Sequence, residues 1–174
     1  DFETRRTARD EARIVRKDKC MTLGDIVTQE AIIPDLRVSS KKQLLQAVAE
    51  KASEMTGLSA RAIFDTILQR ERLGSTGVGK GIAIPHGKFA DFDRISGVFA
   101  RLHAPIDFES LDDQPVDIVF LLLAPESAGA DHLKALSRIA RVLRDPVRIA
   151  NLRATSDAEA LFAFLTQEQA SNAA

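Results

Sequence analysis

The sequence predicts an α/β protein with one mixed β-sheet flanked by helices on both faces. Apolar residues recur at helical spacing before residue 74 and after residue 130, whereas short apolar runs typical of strands lie between them. One run, IVFLLLA at residues 118–124, is apolar throughout, as expected of a strand that is buried on both faces. Helices that alternate with a few strands, without an internal repeat, favour a sheet covered by helices.

Four elements are predicted before the glycine-rich stretch that begins at residue 74. They are a short helix over Leu23–Gln29, an extended stretch around Ile32 and Ile33, a helix over Lys41–Thr56, and a helix from Ala60 to about Leu73. Serines that can accept a hydrogen bond from the first helical turn precede both long helices, namely Ser39 or Ser40 and then Ser59. Glycine follows each of these helices, as is common at helix C-termini.

Strands and then helices are predicted in the remainder of the chain. The strands are expected over Gly81–Ile84, Ile95–Leu102 and Pro115–Leu123, and the helices over Ala130–Leu143, near residues 147–152 and over Asp157–Thr166. Leu133 belongs to the apolar stripe of the first of these helices, and Asp145-Pro146 ends it. Thr155 or Ser156 can cap the last helix. The pattern leaves the strand order open.

The predicted domain occupies residues 21–167. Residues 1–20 are charged throughout and carry almost no apolar periodicity, so we expect a flexible N-terminal extension, with a regulatory tail as the alternative. Residues 168–174 are expected to fray at the C-terminus.

Charge and composition argue against several classes of function. The 24 Lys and Arg residues balance 25 Asp and Glu residues, which leaves no excess positive charge for nucleic acid. The longest apolar run is far too short to span a bilayer, so no membrane insertion is expected. One cysteine and three histidines without ligand spacing argue against a metal site and fit a reducing cytoplasm. The oligomeric state stays open.

The glycine-rich stretch at residues 74–80 nearly spells a nucleotide-binding loop. It satisfies Gly-x-x-x-x-Gly-Lys, but Gly81 stands where such a loop needs Ser or Thr for magnesium. The predicted helix precedes the loop and the strand follows it, which is the reverse of the order that such a loop requires. ATP binding through Gly74–Lys80 is therefore a remote alternative, and a simple tight turn is another. We expect the backbone and hydroxyl donors of Ser75, Thr76, Gly77 and Gly79 to bind a phosphate group instead.

His86 is the candidate nucleophile beside this loop. A neutral imidazole is plentiful at pH 7 because the ordinary pKa of histidine is about 6.5, and it can attack phosphorus directly. Pro85 stiffens the approach to the ring and ends the preceding strand, and Gly87 removes bulk behind it. The alternative for an isolated histidine is an ordinary surface or core residue, but the nearby loop favours phosphoryl transfer.

These residues belong to a longer pattern. The stretch RERLGSTGVGKGIAIPHGK at residues 70–88 resembles the signature of the mannitol/fructose-type IIA proteins of the bacterial phosphoenolpyruvate phosphotransferase system. The resemblance extends to QPVDIVFLLLAP at 114–125 and DHLKALSRIARVL at 131–143, and so spans about residues 21–167. It implies the mannitol-type IIA fold. Because no IIB or IIC sequence accompanies the domain in this stretch, the nitrogen-regulatory branch of that family is expected.

The resemblance implies roles for three residues. His86 corresponds to the histidine that is phosphorylated by an HPr-like phosphocarrier protein, His132 to the second active-site histidine, and Arg70 to the active-site arginine. No cofactor is expected, since such a donor already carries an activated phosphoryl group. The residues alone also allow His132 to be a hydrogen-bonded core histidine and Arg70 to pair with a nearby carboxylate.

Two functions remain open under this resemblance. In the first, the phosphorylation state selects regulatory partners, which in this branch are sensor kinases and potassium transport systems. In the second, the protein passes its phosphoryl group to a IIB domain of a sugar permease. A site that meets another protein needs an apolar rim, for which Phe89 and Phe92 are candidates unless they are core residues. His103 is expected to be an exposed strand-end residue without a catalytic role.

Overall fold

The computed structural model describes residues 22–167 of the chain. In this range the strands are β1 (Ile32–Leu36), β2 (Gly77–Gly79), β3 (Ile82–Ala83), β4 (His86–Phe89), β5 (Ser96–Ile106) and β6 (Val116–Pro125). The helices are α1 (Lys41–Thr56), α2 (Ala60–Leu73), α3 (Ala130–Val142), α4 (Pro146–Ala154) and α5 (Ala158–Thr166). The predicted extension over residues 1–20 and the predicted fraying at 168–174 lie outside the described residues.

The strands form one mixed sheet in the order β1-β5-β6-β3-β2, with β4 also paired to β6. Strand β6 is antiparallel to β5 along one edge. Along its other edge it is parallel first to β3 and then to β4, which follow each other end to end. The backbone N–H of Leu122 donates to the carbonyl of Pro85 at 2.9 Å, so the ladder continues across the break between these two short strands.

Both faces of the sheet are covered, and the predicted α/β class is confirmed. All residues of β6 are buried except Asp117, which is half-buried. Side chains such as Phe99, Phe120 and Leu121 are fully buried, and each apolar side chain of this size contributes about 1.5–3 kcal/mol to folding. Helices α1 and α2 pack against each other and against β5 and β4 respectively, and α3 packs against β6.

The two long N-terminal helices begin and end as predicted. The side chain of Ser40 accepts from the backbone N–H of Gln43 at the start of α1, and that of Ser59 accepts from Ala62 at the start of α2. Gly57 ends α1 with φ of 78°, in the left-handed region that favours glycine. The sequence therefore fixes these boundaries through local interactions.

Several other predictions were wrong in detail. The helix predicted over Leu23–Gln29 is instead a pair of short 3-10 turns, Leu23–Asp25 and Gln29–Ala31. The strand before Pro85 does end there, at Ala83, but a further strand that was not predicted, β4, begins directly after the proline. The cap of α5 is Asp157, whose carboxylate accepts from Ala160, and not Thr155 or Ser156.

Candidate functional site

His86 lies at the start of β4, where the chain resumes its pairing with β6. It is opposite Leu122 in the parallel register, and its ring is half-buried. The ring nitrogen Nδ1 lies 2.9 Å from the carbonyl oxygen of Ile84. Because a carbonyl can accept but not donate, Nδ1 carries the proton in this contact. The lone pair of the neutral ring is then on Nε2, which is the ring nitrogen that can act as a nucleophile.

His132 faces His86 from the first turn of α3. The two ring centroids are 5.6 Å apart, and the ring planes are tilted by 54°. His132 is only 5% exposed, and its Nδ1 is buried without a hydrogen-bond partner among residues 22–167. A buried polar atom without a partner costs about 1–3 kcal/mol. His132 is therefore buried, but its Nδ1 does not form the hydrogen bond that the alternative of a satisfied core histidine requires.

Arg70 lies in the last turn of α2 and reaches the same region. Its Nη1 donates to the carbonyl of Gly74 at 3.0 Å, and the side chain is half-exposed. The carboxylate partner that the sequence allowed is not found among the ion pairs of residues 22–167. Its positive charge is close enough to His86 to act on the proton equilibrium of that ring. Part of the guanidinium is thus available to a phosphate group.

Burial lowers the pKa of both histidines. Burial lowers the pKa of His86, the hydrogen bond to Ile84 opposes that shift, the charge of Arg70 adds to it, and the charge of Glu71 opposes it. Burial also lowers the pKa of His132, and the charges of His86 and Lys88 lower it further. Each ring therefore stays unprotonated to a lower pH than a free histidine, which keeps the nucleophilic lone pair available.

The polar groups of the glycine-rich loop are more occupied than predicted. The backbone N–H and the hydroxyl of Thr76 both donate to the carboxylate of Glu71, so neither is free for a phosphate group in this structure. The hydroxyl of Ser75 donates to the carbonyl of Phe108 at 3.4 Å and accepts from the N–H of Gly77. The assignment of these residues, with Gly79, as phosphate ligands stays a prediction.

The loop continues into a hairpin and not into the start of a helix. Gly77–Gly79 pair antiparallel with Ile82–Ala83. The two connecting residues, Lys80 and Gly81, have φ of 57° and 81°, as in a type I′ turn. The N–H of Lys80 donates to Asp112, and its carbonyl accepts from Arg153. In the described part of the chain the loop leads into strands and not into a helix, so the geometry gives the ATP alternative no support.

Sequence reasoning missed Glu71 and Lys41. The side chain of Glu71 is 2% exposed and forms an ion pair with Lys41 at 2.9 Å. The signal was present in α2, because Glu71 follows the buried Ile63 and Ile67 at intervals of four residues. A charged residue that continues a buried stripe has to find its partners inside the protein.

The two phenylalanines considered for an apolar rim are not on the surface. Phe89 and Phe92 are 7% and 9% exposed and belong to the core, so the alternative stated for them is correct. Within residues 22–167, the large apolar side chains that are exposed are Leu73, Val78, Leu111, Leu133 and Val147. Leu133 was predicted to be buried, but it lies on the outward side of α3. His103 is exposed, pairs with Asp35 at 3.0 Å and lies within β5.

Residues 22–167 contain neither a metal-binding cluster nor a membrane-spanning helix. No group of three or more His, Cys, Asp or Glu side chains there is placed to hold a metal ion. No helix in the same range combines the length and the apolar character needed to cross a membrane.

The chain is similar to known proteins in both sequence and fold. The profile of the family described as phosphoenolpyruvate-dependent sugar phosphotransferase system, EIIA 2, matches residues 25–168. The chain belongs to this family. A nitrogen regulatory protein of Bradyrhizobium diazoefficiens is 61% identical over 145 residues, which cover 83% of this chain and 95% of that protein. The resemblance drawn from the motif at residues 70–88 is therefore confirmed at the level of the family.

Solved structures of EIIA proteins share the fold. The crystal structure of the nitrogen regulatory protein IIA-Ntr from Neisseria meningitidis has a TM-score of 0.79 and 37% identity, covering 83% of this chain and 99% of that one. The crystal structure of IIA mannitol from Escherichia coli has a TM-score of 0.68 at 20% identity, covering 79% and 97%. The second likeness shows the fold alone. Together they confirm the mannitol-type IIA fold.

Proposed function

We propose that this EIIA protein carries a phosphoryl group on Nε2 of His86 and regulates partner proteins according to its phosphorylation state. The single observation that carries the proposal is the 2.9 Å contact between Nδ1 of His86 and the carbonyl of Ile84, which leaves Nε2 as the free nitrogen of a half-buried neutral ring. Membership of a phosphotransferase family supports the same chemistry.

The donor in this proposal is a phosphohistidine on an HPr-like phosphocarrier protein. The Nε2 lone pair of His86 attacks phosphorus as the bond from phosphorus to the donor imidazole breaks, and the donor nitrogen keeps that electron pair and takes up a proton. Positioning and neutralisation of the oxygen charge supply most of the catalysis in such transfers. Arg70 neutralises oxygen charge, and His132, whose ring centroid lies 5.6 Å from that of His86, donates a ring N–H to the phosphoryl oxygens.

A protein donor has to reach His86 from outside. The exposed side chains of Leu73 and Val78 lie on either side of the loop 74–76, and Leu111 follows Ser110, whose side chain lies against Gly77. These three apolar residues are proposed as the rim on which the phosphocarrier docks. The fully buried part of a protein–protein interface is more apolar than the remaining surface, which suits these side chains.

The regulatory part rests on the change of charge at His86. A phosphoryl group adds about −1.5 to −2 charge at one position, which alters any interface that includes the rim. The similarity to nitrogen regulatory proteins favours partners such as sensor kinases and potassium transport systems over a IIB domain.

Phosphorylation by purified carrier proteins tests the proposal. The protein is incubated with phosphoenolpyruvate, the general phosphotransferase enzyme and an HPr-like carrier, and acid-labile phosphate is measured over time. His86→Ala should abolish labelling, whereas His103→Ala, which removes an exposed histidine far along β5, should leave it unchanged. Retention of acid-labile phosphate in His86→Ala would exclude His86 as the carrier.

The supporting residues are tested in the same assay. Arg70→Ala and His132→Ala should slow labelling by about 10²–10³-fold, the usual effect of removing one charge-stabilising group from an active site. Arg72→Ala is the matched control, since Arg72 lies in the same helical turn as Arg70 but is exposed. Transfer of label to a IIB domain at a comparable rate would favour the sugar-transport alternative.

A further inference from the structure

Glu71 has a buried carboxylate that accepts several hydrogen bonds from Thr76. Its two oxygens accept the backbone N–H of Thr76 at 3.2 Å each, and the Thr76 hydroxyl donates to the same carboxylate. The backbone carbonyl of Glu71 also accepts from the N–H of Gly74 at 3.1 Å. Glu71 thus holds the start and the end of the segment from Gly74 to Thr76.

Thr76 is in turn bonded to the backbone beside the candidate nucleophile. Its carbonyl accepts from the N–H of Ile84 at 3.0 Å. The carbonyl of the same Ile84 accepts from Nδ1 of His86 at 2.9 Å. A continuous set of hydrogen bonds therefore leads from the Glu71 carboxylate through Thr76 and Ile84 to the ring of His86.

Lys41 is the counter-ion of this carboxylate. Its Nζ lies 2.9 Å from Glu71 and 4.5 Å from the centroid of the Phe108 ring, and its side chain is 17% exposed. Removing one partner of such a buried ion pair leaves the other charge uncompensated, which is strongly destabilising. Glu109 also approaches the lysine, at 3.9 Å, but its side chain is 80% exposed.

We propose that Glu71, with Lys41 as its counter-ion, is a positioning residue for His86. By holding Thr76, it fixes the carbonyl of Ile84 in the place where that group binds Nδ1–H and leaves Nε2 unprotonated. Neither Glu71 nor Lys41 has to touch the phosphoryl group. The effect on phosphoryl transfer rests on the proposed function, whereas the effect on the His86 tautomer does not.

The test compares Glu71→Gln with Glu109→Gln in the full chain. Both substitutions remove one negative charge beside Lys41, but only the first changes the contact with Thr76. The tautomer of His86 is read from the nitrogen-15 spectrum of the imidazole, and the phosphorylation rate from the carrier assay. In Glu71→Gln we expect mixed Nδ1–H and Nε2–H tautomers and a rate about 10–100-fold lower, as for a displacement near 1 Å at a reacting group. Glu109→Gln should match the wild type.

A folded Glu71→Gln protein that retains the Nδ1–H tautomer and the wild-type rate would overturn the proposal. Should that variant fail to fold, Thr76→Val decides in its place, because it removes the hydroxyl donor and keeps the Glu71–Lys41 pair and the backbone bonds. Thr76→Ser is its control. Absence of labelling in the wild type would count against the proposed function, and the tautomer readings alone would then confirm or overturn the role of Glu71.

Discussion

Gly87→Ala should displace the candidate site by a predictable distance. A Cβ atom added at Gly87 would lie 2.9 Å from Cγ2 of Thr66 in α2, whereas two carbon atoms pack at about 3.5–4.0 Å. Helix α2 and strand β4 therefore have to separate by about 0.6–1.1 Å. Arg70 lies one turn after Thr66 in α2, and His86 is adjacent to Gly87 in β4, so the same movement separates the two site residues.

The expected cost has two parts. Overpacking at such a site destabilises a protein by about 1–3 kcal/mol, which urea unfolding measures. A displacement near 1 Å between reacting groups lowers transfer by about 10²-fold, which the phosphorylation assay measures. The displacement should lower the transfer rate more than the loss of stability does, because a loss of about 1–3 kcal/mol still leaves most molecules folded.

Thr66→Ser supplies the control within the Gly87→Ala background. Serine lacks the Cγ2 methyl group, and the remaining neighbours of the new Cβ are ring atoms of Phe89 at 3.4 Å, which is ordinary contact. The double variant should regain most of the lost stability and rate. Wild-type stability in Gly87→Ala, or no recovery in the double variant, would refute the argument that this contact sets the spacing of α2 and β4.

Three further predictions concern pH, the hairpin and a helix cap. The pKa values of His86 and His132 are lower in the folded protein than in the unfolded chain, so the unfolded chain binds more protons on acidification. The stability contributed by the two neutral rings should be full above about pH 6.5 and should fall as the pH drops towards the folded-state pKa values. Replacing both histidines by Ala should flatten this decline in urea titrations. Arg153→Ala removes bonds to a half-buried carboxylate and to the hairpin turn, and should cost about 1 kcal/mol in unfolding experiments; an unchanged midpoint would contradict it. Asp157→Ala should cost about 1 kcal/mol while Ser156→Ala stays near the wild type, and the reverse order would assign the cap to serine.

The parts of the fold that could be predicted are those fixed by neighbours in sequence. The caps at Ser40 and Ser59 and the glycines that follow the two helices act within one turn of each helix end, so they predicted α1 and α2 correctly. Strand β4 was not predicted because its partner is β6, more than thirty residues further along the chain, and Pro85 suggested a strand end. Pairing partners of this kind are set by tertiary structure.

The candidate site was also predictable only in part from the sequence. The motif and the resemblance identified His86, His132 and Arg70, and the 5.6 Å separation of the two rings depends on how α3 returns to the sheet after β6. The hydroxyl of Thr76 was expected to be free, yet it serves Glu71, whose inward direction follows from its spacing after Ile67. Spacing along a helix predicts which way a side chain points, but which group it contacts is set by the tertiary structure.

The sheet topology leaves an edge near His86 open to the proposed protein donor. Strand β2 covers the outer edge of β3 but ends before β4, so within residues 22–167 no strand pairs with that edge of β4. Pro85 lies between β3 and β4. It has no backbone N–H, but in the described part of the chain no strand on the outer side is there to accept one, so no sheet hydrogen bond is lost. Its carbonyl still accepts from the backbone N–H of Leu122 in β6. The break between β3 and β4 thus places His86 on a strand whose outer edge is unpaired within residues 22–167. A longer β2 hairpin would leave the same imidazole in place but close the edge by which another protein could approach it.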